Sequence, residues 1–190
     1  MRRFLLLLLC LALSPAAALG DGLSWTVPEG WTAYLPEEAE EAAVALGTDA
    51  AALAQALTES GTRLLLLSQE GSMLQLTAGT AAVEGMDFDA MGRKRVTILA
   101  ESLAASSGEE ATVLRLTRVR SEQPEPTDPP GSHRCGWWIL LSPKEDGTLS
   151  LLTACRGTEL TVYITAAEGR AEDALADAEA LAVSLIVTEE

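Results

Sequence analysis

The stretch Cys135-Gly136-Trp137-Trp138-Ile139-Leu140-Leu141-Ser142-Pro143-Lys144-Glu145-Asp146-Gly147-Thr148-Leu149-Ser150-Leu151-Leu152-Thr153-Ala154-Cys155 decides how this chain is read. Two apolar, β-prone runs flank Pro143 to Gly147, a segment with the length and turn chemistry of a hairpin loop. The two cysteines lie symmetrically about Glu145. Antiparallel pairing about that centre sets Cys135 opposite Cys155, Trp137 opposite Thr153, Ile139 opposite Leu151 and Leu141 opposite Leu149, all on one side of the sheet. Gly136, Trp138, Leu140, Leu152 and Ala154 fall on the other side. Both sides are largely apolar, so the hairpin is expected in a sheet covered by helices on both faces. Directly opposed cysteines can reach the ~5.5 Å separation that a disulfide requires. Closing a loop of this size stabilises by roughly 3 kcal/mol. A Cys135–Cys155 disulfide and an oxidising compartment are therefore expected.

The start of the chain points to the same compartment. Met1-Arg2-Arg3 is a short basic region, Phe4 to Leu13 is an unbroken apolar run, and Ser14 to Gly20 supplies small residues for cleavage. Residues 1–20 read as a signal peptide and residues 21–190 as a single α+β domain. The apolar run is about ten residues, short of the ~20 needed to span a bilayer as a helix. A lipoprotein signal does not fit, because Cys10 lies inside the apolar run and follows Leu9. The mature protein is expected to be secreted or held outside the cytoplasm in the cell envelope, without membrane insertion after cleavage.

With 28 acidic against 13 basic residues the chain carries a formal charge of −15, and loss of Arg2 and Arg3 deepens it by two. Such a surface repels phosphate backbones and anionic lipids, which argues against nucleic-acid and polybasic membrane roles.

Along the mature chain, Leu23, Trp25 and Val27 alternate as a strand that ends in the turn Pro28-Glu29-Gly30. Trp31 to Leu35 is a second short strand. Pro36 suits a first helical position, with Glu37, Glu38, Glu40 and Glu41 placed where a helix dipole favours carboxylates. Gly47 interrupts, Thr48 or Asp49 caps a second helix, and Ser60-Gly61 stops it. Thr62 to Gln69 and Ser72 to Ala78 are strands, the first with a continuous leucine run that suggests cover on both faces. Phe88, Gly92, Val96, Leu99 and Leu103 form one stripe of a helix over about 87–106, with Arg93, Lys94, Arg95 and Glu101 on its wetter faces. Glu110 to Arg120 alternates as a strand. The segment 122–131, with four prolines, cannot join a ladder and reads as an exposed connector. Gly157 to Thr165 is a further strand. The chain closes in an amphipathic helix from Arg170 to about Val187, its apolar face formed by Ala171, Ala174, Leu175, Ala178, Leu181, Ala182 and Leu185.

The Pro28-Glu29-Gly30-Trp31 turn, the long antiparallel strands and a last strand followed by an amphipathic helix with Ser184 near its end together resemble the PsbP/Mog1-like fold, in particular secreted bacterial proteins of that type. The resemblance spans nearly the whole mature chain. It implies a largely antiparallel sheet sandwiched between helices. It also implies a non-enzymatic domain that docks on larger assemblies or binds proteins, as members do in contexts as unlike as photosystem II and a small nuclear GTPase. Beyond Pro28, Gly30 and Trp31 no motif matches, so the family's functional residues do not transfer, and those three read as a turn and a core anchor.

Catalytic sets are hard to assemble. His133 is the single histidine, there is no Gly-x-Ser-x-Gly elbow, and neither Lys94 nor Lys144 follows a Ser-x-x pattern. Pairing Cys135 with Cys155 would remove the thiol nucleophiles. Asp87-Phe88-Asp89-Ala90-Met91-Gly92 superficially resembles a calcium loop, yet Met91 takes a ligand position and Ile98 stands where a bidentate glutamate is needed. The sequence therefore predicts no enzyme, no catalytic residues, no cofactor and no metal site. It points to a secreted binding or assembly module with an unknown protein partner. A weak cation- or small-ligand-binding extracellular domain, motivated by the acidity and the Glu37 to Glu41 run, is the alternative.

Overall fold

The computed structural model describes residues 17–19, 22–80, 88, 91–107, 112–118, 131–141, 147–155 and 158–188. The connector 122–131, apart from Gly131, lies outside them, as do the apolar run Phe4 to Leu13, Asp87, Asp89 and Lys144.

Seven antiparallel strands make the main sheet: β3 (Trp31–Tyr34), β4 (Thr62–Ser68), β5 (Met73–Thr80), β10 (Thr158–Thr165), β9 (Leu149–Cys155), β8 (Trp137–Leu141) and β6 (Val113–Arg118), in that spatial order. A second antiparallel sheet has the order β1 (Ala17–Leu19), β2 (Leu23–Trp25), β11 (Ile186–Thr188), β7 (Ser132–Arg134). Its first strand falls within the segment expected to be cleaved, and without it β2, β11 and β7 remain paired.

Leu64 and Leu66 of β4, Leu74 and Leu76 of β5, Leu160, Val162 and Ile164 of β10, and Trp138 and Leu140 of β8 line one face of the main sheet. Helix α4 (Ala171–Ser184) and the small sheet cover that face through Ala174, Ala178, Leu181, Trp25 and Val187. The alanines let the helix backbone approach the sheet closely, as expected from its small-residue stripe. The opposite face is divided. At the β3 end Leu65, Leu57, Ala39 and Ala42 form a small core under α1 (Ala39–Leu46) and α2 (Ala50–Glu59). At the other end Trp137, Ile139, Leu141, Leu152 and Ala154 pack under α3 (Arg93–Ser107). Thr77 of β5 stands opposite Thr161 of β10, and Gln75 opposite Tyr163, so a polar strip separates the two cores. Helices on both faces of an antiparallel sheet are the α+β architecture read from the sequence.

Local chemistry explains most boundaries. Asp49 caps α2, its side chain accepting from Ala52 N at 2.8 Å. Gly47 ends α1 in the left-handed conformation. Gly22 is a position only glycine fits, since it has φ +70° and a Cβ there would stand 2.2 Å from Thr188 O.

Four expectations are corrected. The β8–β9 register is displaced by one residue, with Ile139 opposite Leu152, Leu140 opposite Leu151 and Leu141 opposite Ser150. Since side chains alternate with period two, Trp138 and Leu140 now share a face with Leu151, while Trp137, Ile139 and Leu141 share one with Leu152 and Ala154. The buried stripe of α3 is Val96, Ala100 and Ala104, with Leu99 half-buried, and Phe88 packs on the same core from ahead of the helix. The last helix stops at Ser184, and Ile186–Thr188 is a strand between β2 and β7 rather than a final helical turn. Finally, the chain does not run straight through Cys135. The strands break at Cys135 and Gly136, and Cys135 enters the α4-side core instead of following Trp137 into the α3-side core.

Candidate functional site

The residues singled out from the sequence fall into structural roles. Glu37 and Glu38 lie in a 3-10 turn and Glu40 and Glu41 in the first turn of α1. Glu38 Oε2 accepts from Leu35 N at 2.8 Å, so the acidic run does work as helix-start chemistry. Among the described residues no three His, Cys, Asp or Glu side chains gather as a cation site. His133 is half-buried in β7 opposite Val187 of β11. Pro28 and Trp31 close a turn through a Trp31 N to Pro28 O bond of 3.4 Å, with Gly30 at φ +83°. The Trp31 indole Nε1–H donates to Asp177 Oδ2 at 2.9 Å, anchoring the β3 edge to α4. Ser184 Oγ accepts from Thr26 N at 2.9 Å, so the serine that closes α4 also holds the chain after β2.

Cys135 and Cys155 are both buried and belong to one core cluster, although the register that set them directly opposite each other does not hold. Their common burial comes from the break at Gly136, which carries Cys135 across to the side where Cys155 points.

The feature that sequence reasoning missed lies at the β6 end. A pocket of about 80 Å³ opens between α4 and the last strands of the sheet, lined by Thr117, Trp138, Leu140, Leu151, Glu179, Ala182 and Val183. Its walls are aliphatic and aromatic. The Trp138 indole Nε1–H, fully enclosed, has no acceptor among the described residues. Glu179 at the rim is ion-paired with Arg115 of β6. Arg115 and Thr117 stand opposite Leu140 and Trp138, so both project toward this α4 face.

On the α3 face of the same edge, Arg118 stands opposite Trp137 and holds its guanidinium 5.4 Å from the centre of that ring. Trp137 Nε1 in turn donates to Met91 O at 3.2 Å, just ahead of α3. One tryptophan therefore ties Arg118 to the start of the helix that presents Arg93, Lys94 and Arg95, all exposed. Residues 93–118 carry five basic against three acidic residues in a chain of net charge −15. That reversal of charge was visible in the sequence, but it spans a helix and a strand, and only the fold shows that they meet.

Five large apolar side chains are exposed among the described residues: Val44, Leu46, Ile98, Leu114 and Val183. Ile98 lies on α3, Leu114 on β6, and Val183 on the pocket wall, so three of the five sit on the elements that frame the β6 edge.

No protein-family model matches the chain, and no curated protein matches it either. Among solved structures it is similar to the solution structure of cyanobacterial PsbP from Synechocystis sp. PCC 6803, at 14% identity and a TM-score of 0.46, covering 90% of this chain and 89% of that one. No helix among the described residues is long and apolar enough to cross a membrane.

Proposed function

We propose that this protein is a non-enzymatic docking module of the cell exterior, and that the β6 end of its main sheet is the face that engages a protein partner. The observation that carries this is the apolar pocket beside the β6 end of the sheet, with Val183 exposed on its wall and Leu114 exposed on β6, the terminal strand of the main sheet among the described residues. Exposed apolar side chains beside an apolar pocket are a common feature of protein-binding surfaces. The size of the pocket favours a protein over a metabolite. At about 80 Å³ it holds one aliphatic side chain, whereas small-molecule sites run to roughly 300–1,000 Å³. The basic start, apolar run and small residues of the first twenty positions support export. A Cys135–Cys155 disulfide belongs to the same reading, supported by the common burial of the two residues in one cluster.

Site-specific photo-crosslinking in the native host tests the docking face. A crosslinker at Leu114 should give a discrete adduct that the same group at Glu40, exposed on α1, does not. Identical adducts from both positions, or none from Leu114, would overturn the assignment.

A further inference from the structure

Accepting that reading of the β6 end, we infer that the occupant is an extended acidic segment of the partner, added to the sheet as a strand beside β6. Among the described residues strand β6 is terminal in the order of the main sheet, and its residues 114, 115, 117 and 118 are exposed. A terminal strand offers unpaired backbone donors and acceptors to an incoming strand.

The two faces of that edge ask for different side chains. On the α4 face the added strand passes the apolar pocket framed by Thr117, Trp138 and Val183, which takes one Val- or Leu-sized group. On the α3 face the strand passes Arg118, which Trp137 links to the Arg93, Lys94 and Arg95 turn. Carboxylates belong there. A segment that alternates apolar and acidic residues meets both demands at once, because strand side chains point alternately to opposite faces.

Charge also settles which strand is refused. A second copy of β6 would bring two more arginines to an edge that already carries Arg115 and Arg118, and the bulge between Val113 and Arg115 spoils a regular self-pairing. The edge is thus closed to itself and open to an anionic strand.

The exported full-length protein should bind a fluorescent eight-residue peptide of alternating Glu and Leu, read by anisotropy at low salt. An alternating Lys and Leu peptide, and a block peptide of four Glu then four Leu, should both bind about tenfold more weakly or not at all. The double variant Lys94→Glu with Arg118→Glu should lose about tenfold or more in affinity for the alternating acidic peptide while keeping its circular dichroism spectrum. Val183→Asp, at the pocket rim, should weaken the same peptide. Equal affinity for the Lys peptide or the block peptide, or binding undiminished in the charge-reversed protein, overturns the inference. So does charge-dependent binding to phosphatidylglycerol vesicles with none to the acidic peptide, which would make the patch a lipid-headgroup site. A persistent Leu114 adduct in the host with no peptide binding leaves the docking face standing and removes only the acidic strand, whereas loss of both removes both.

Discussion

The two ends of the seven-stranded sheet are built for different ends. At β3 the edge is held down: Trp31 reaches across to Asp177 of α4, and a 3-10 turn with α1 follows directly, over a core of Leu57, Leu65 and alanines. At β6 the edge strand is exposed, basic and next to an apolar pocket, although the strands just inside it are as well buried as any in the molecule. If the β6 end is the docking face proposed above, the contrast separates the part of the sheet that holds the fold from the part that would bind. The β3 edge half-buries its tryptophan and satisfies its indole within the chain, while the β6 edge leaves arginines, a leucine and an apolar pocket at the surface.

The largest expected effect probes what joins the two ends. Trp25, 2% exposed, sits in the α4-side core that runs from β4 through β8. Trp25→Ala should cost roughly 3–5 kcal/mol by denaturant unfolding, with one transition seen by all probes. Two transitions would show that the ends unfold separately. Next in size is the β8–β9 staple. Non-reducing mass mapping of exported protein should join Cys135 to Cys155, and reduction should lower stability by roughly 3 kcal/mol, with β8 and β9 losing amide protection before β3 and β4. Unchanged stability on reduction would remove the staple from the account. A smaller change separates the ends directly. Asp49→Ala removes the α2 cap and should cost about 1 kcal/mol, read as earlier exchange at the β3 end with no change in partner binding. The smallest belongs to the β6 edge. Arg118→Glu should shift stability by no more than about 0.5 kcal/mol, because the side chain is exposed, even as it weakens binding of an acidic strand. Should Arg118→Glu instead unfold the protein, the division between a holding end and a binding end fails. The Arg115–Glu179 pair is half-exposed as well and contributes little to stability.

Much of the fold is legible in the sequence where a short-range signal exists. Asp49 ahead of Ala50, Gly47 after Leu46 and Gly71 between two leucine-rich runs mark ends of elements by chemistry that acts within a few residues. The two apolar faces of the Cys135 to Cys155 stretch correctly place the sheet between helices. That same property hides the register. Where one face is wet, a one-residue slip throws apolar side chains into water and is strongly opposed. Here the slip only exchanges Trp137 for Trp138 and Ile139 for Leu140, apolar for apolar, so pattern alone is nearly indifferent. The same limit applies at the end of the chain. Ile186 and Val187 continue a plausible helical stripe, and only pairing with Leu23, Ser24, His133 and Arg134 from distant segments makes them a strand. The candidate site was hidden more completely. Its pocket joins Thr117 of β6, Trp138 of β8 and Val183 of α4, and its basic patch joins Arg93 to Arg118 through a Trp137 that stands on a third element.

By itself, then, the sequence determined most helices and main-sheet strands, several of their caps and turns, the acidic charge and the two-sided sheet, because period and capping are local energies written in neighbouring residues; it did not give β7, β11 or the small sheet they form with β2. Tertiary structure decided the register of β8 on β9, the break that carries Cys135 into the core of Cys155, the conversion of the last residues to a strand, and the meeting of α3 with β6. Those are choices among long-range pairings of nearly equal local merit, and packing of the whole sheet against its helices is what separates them.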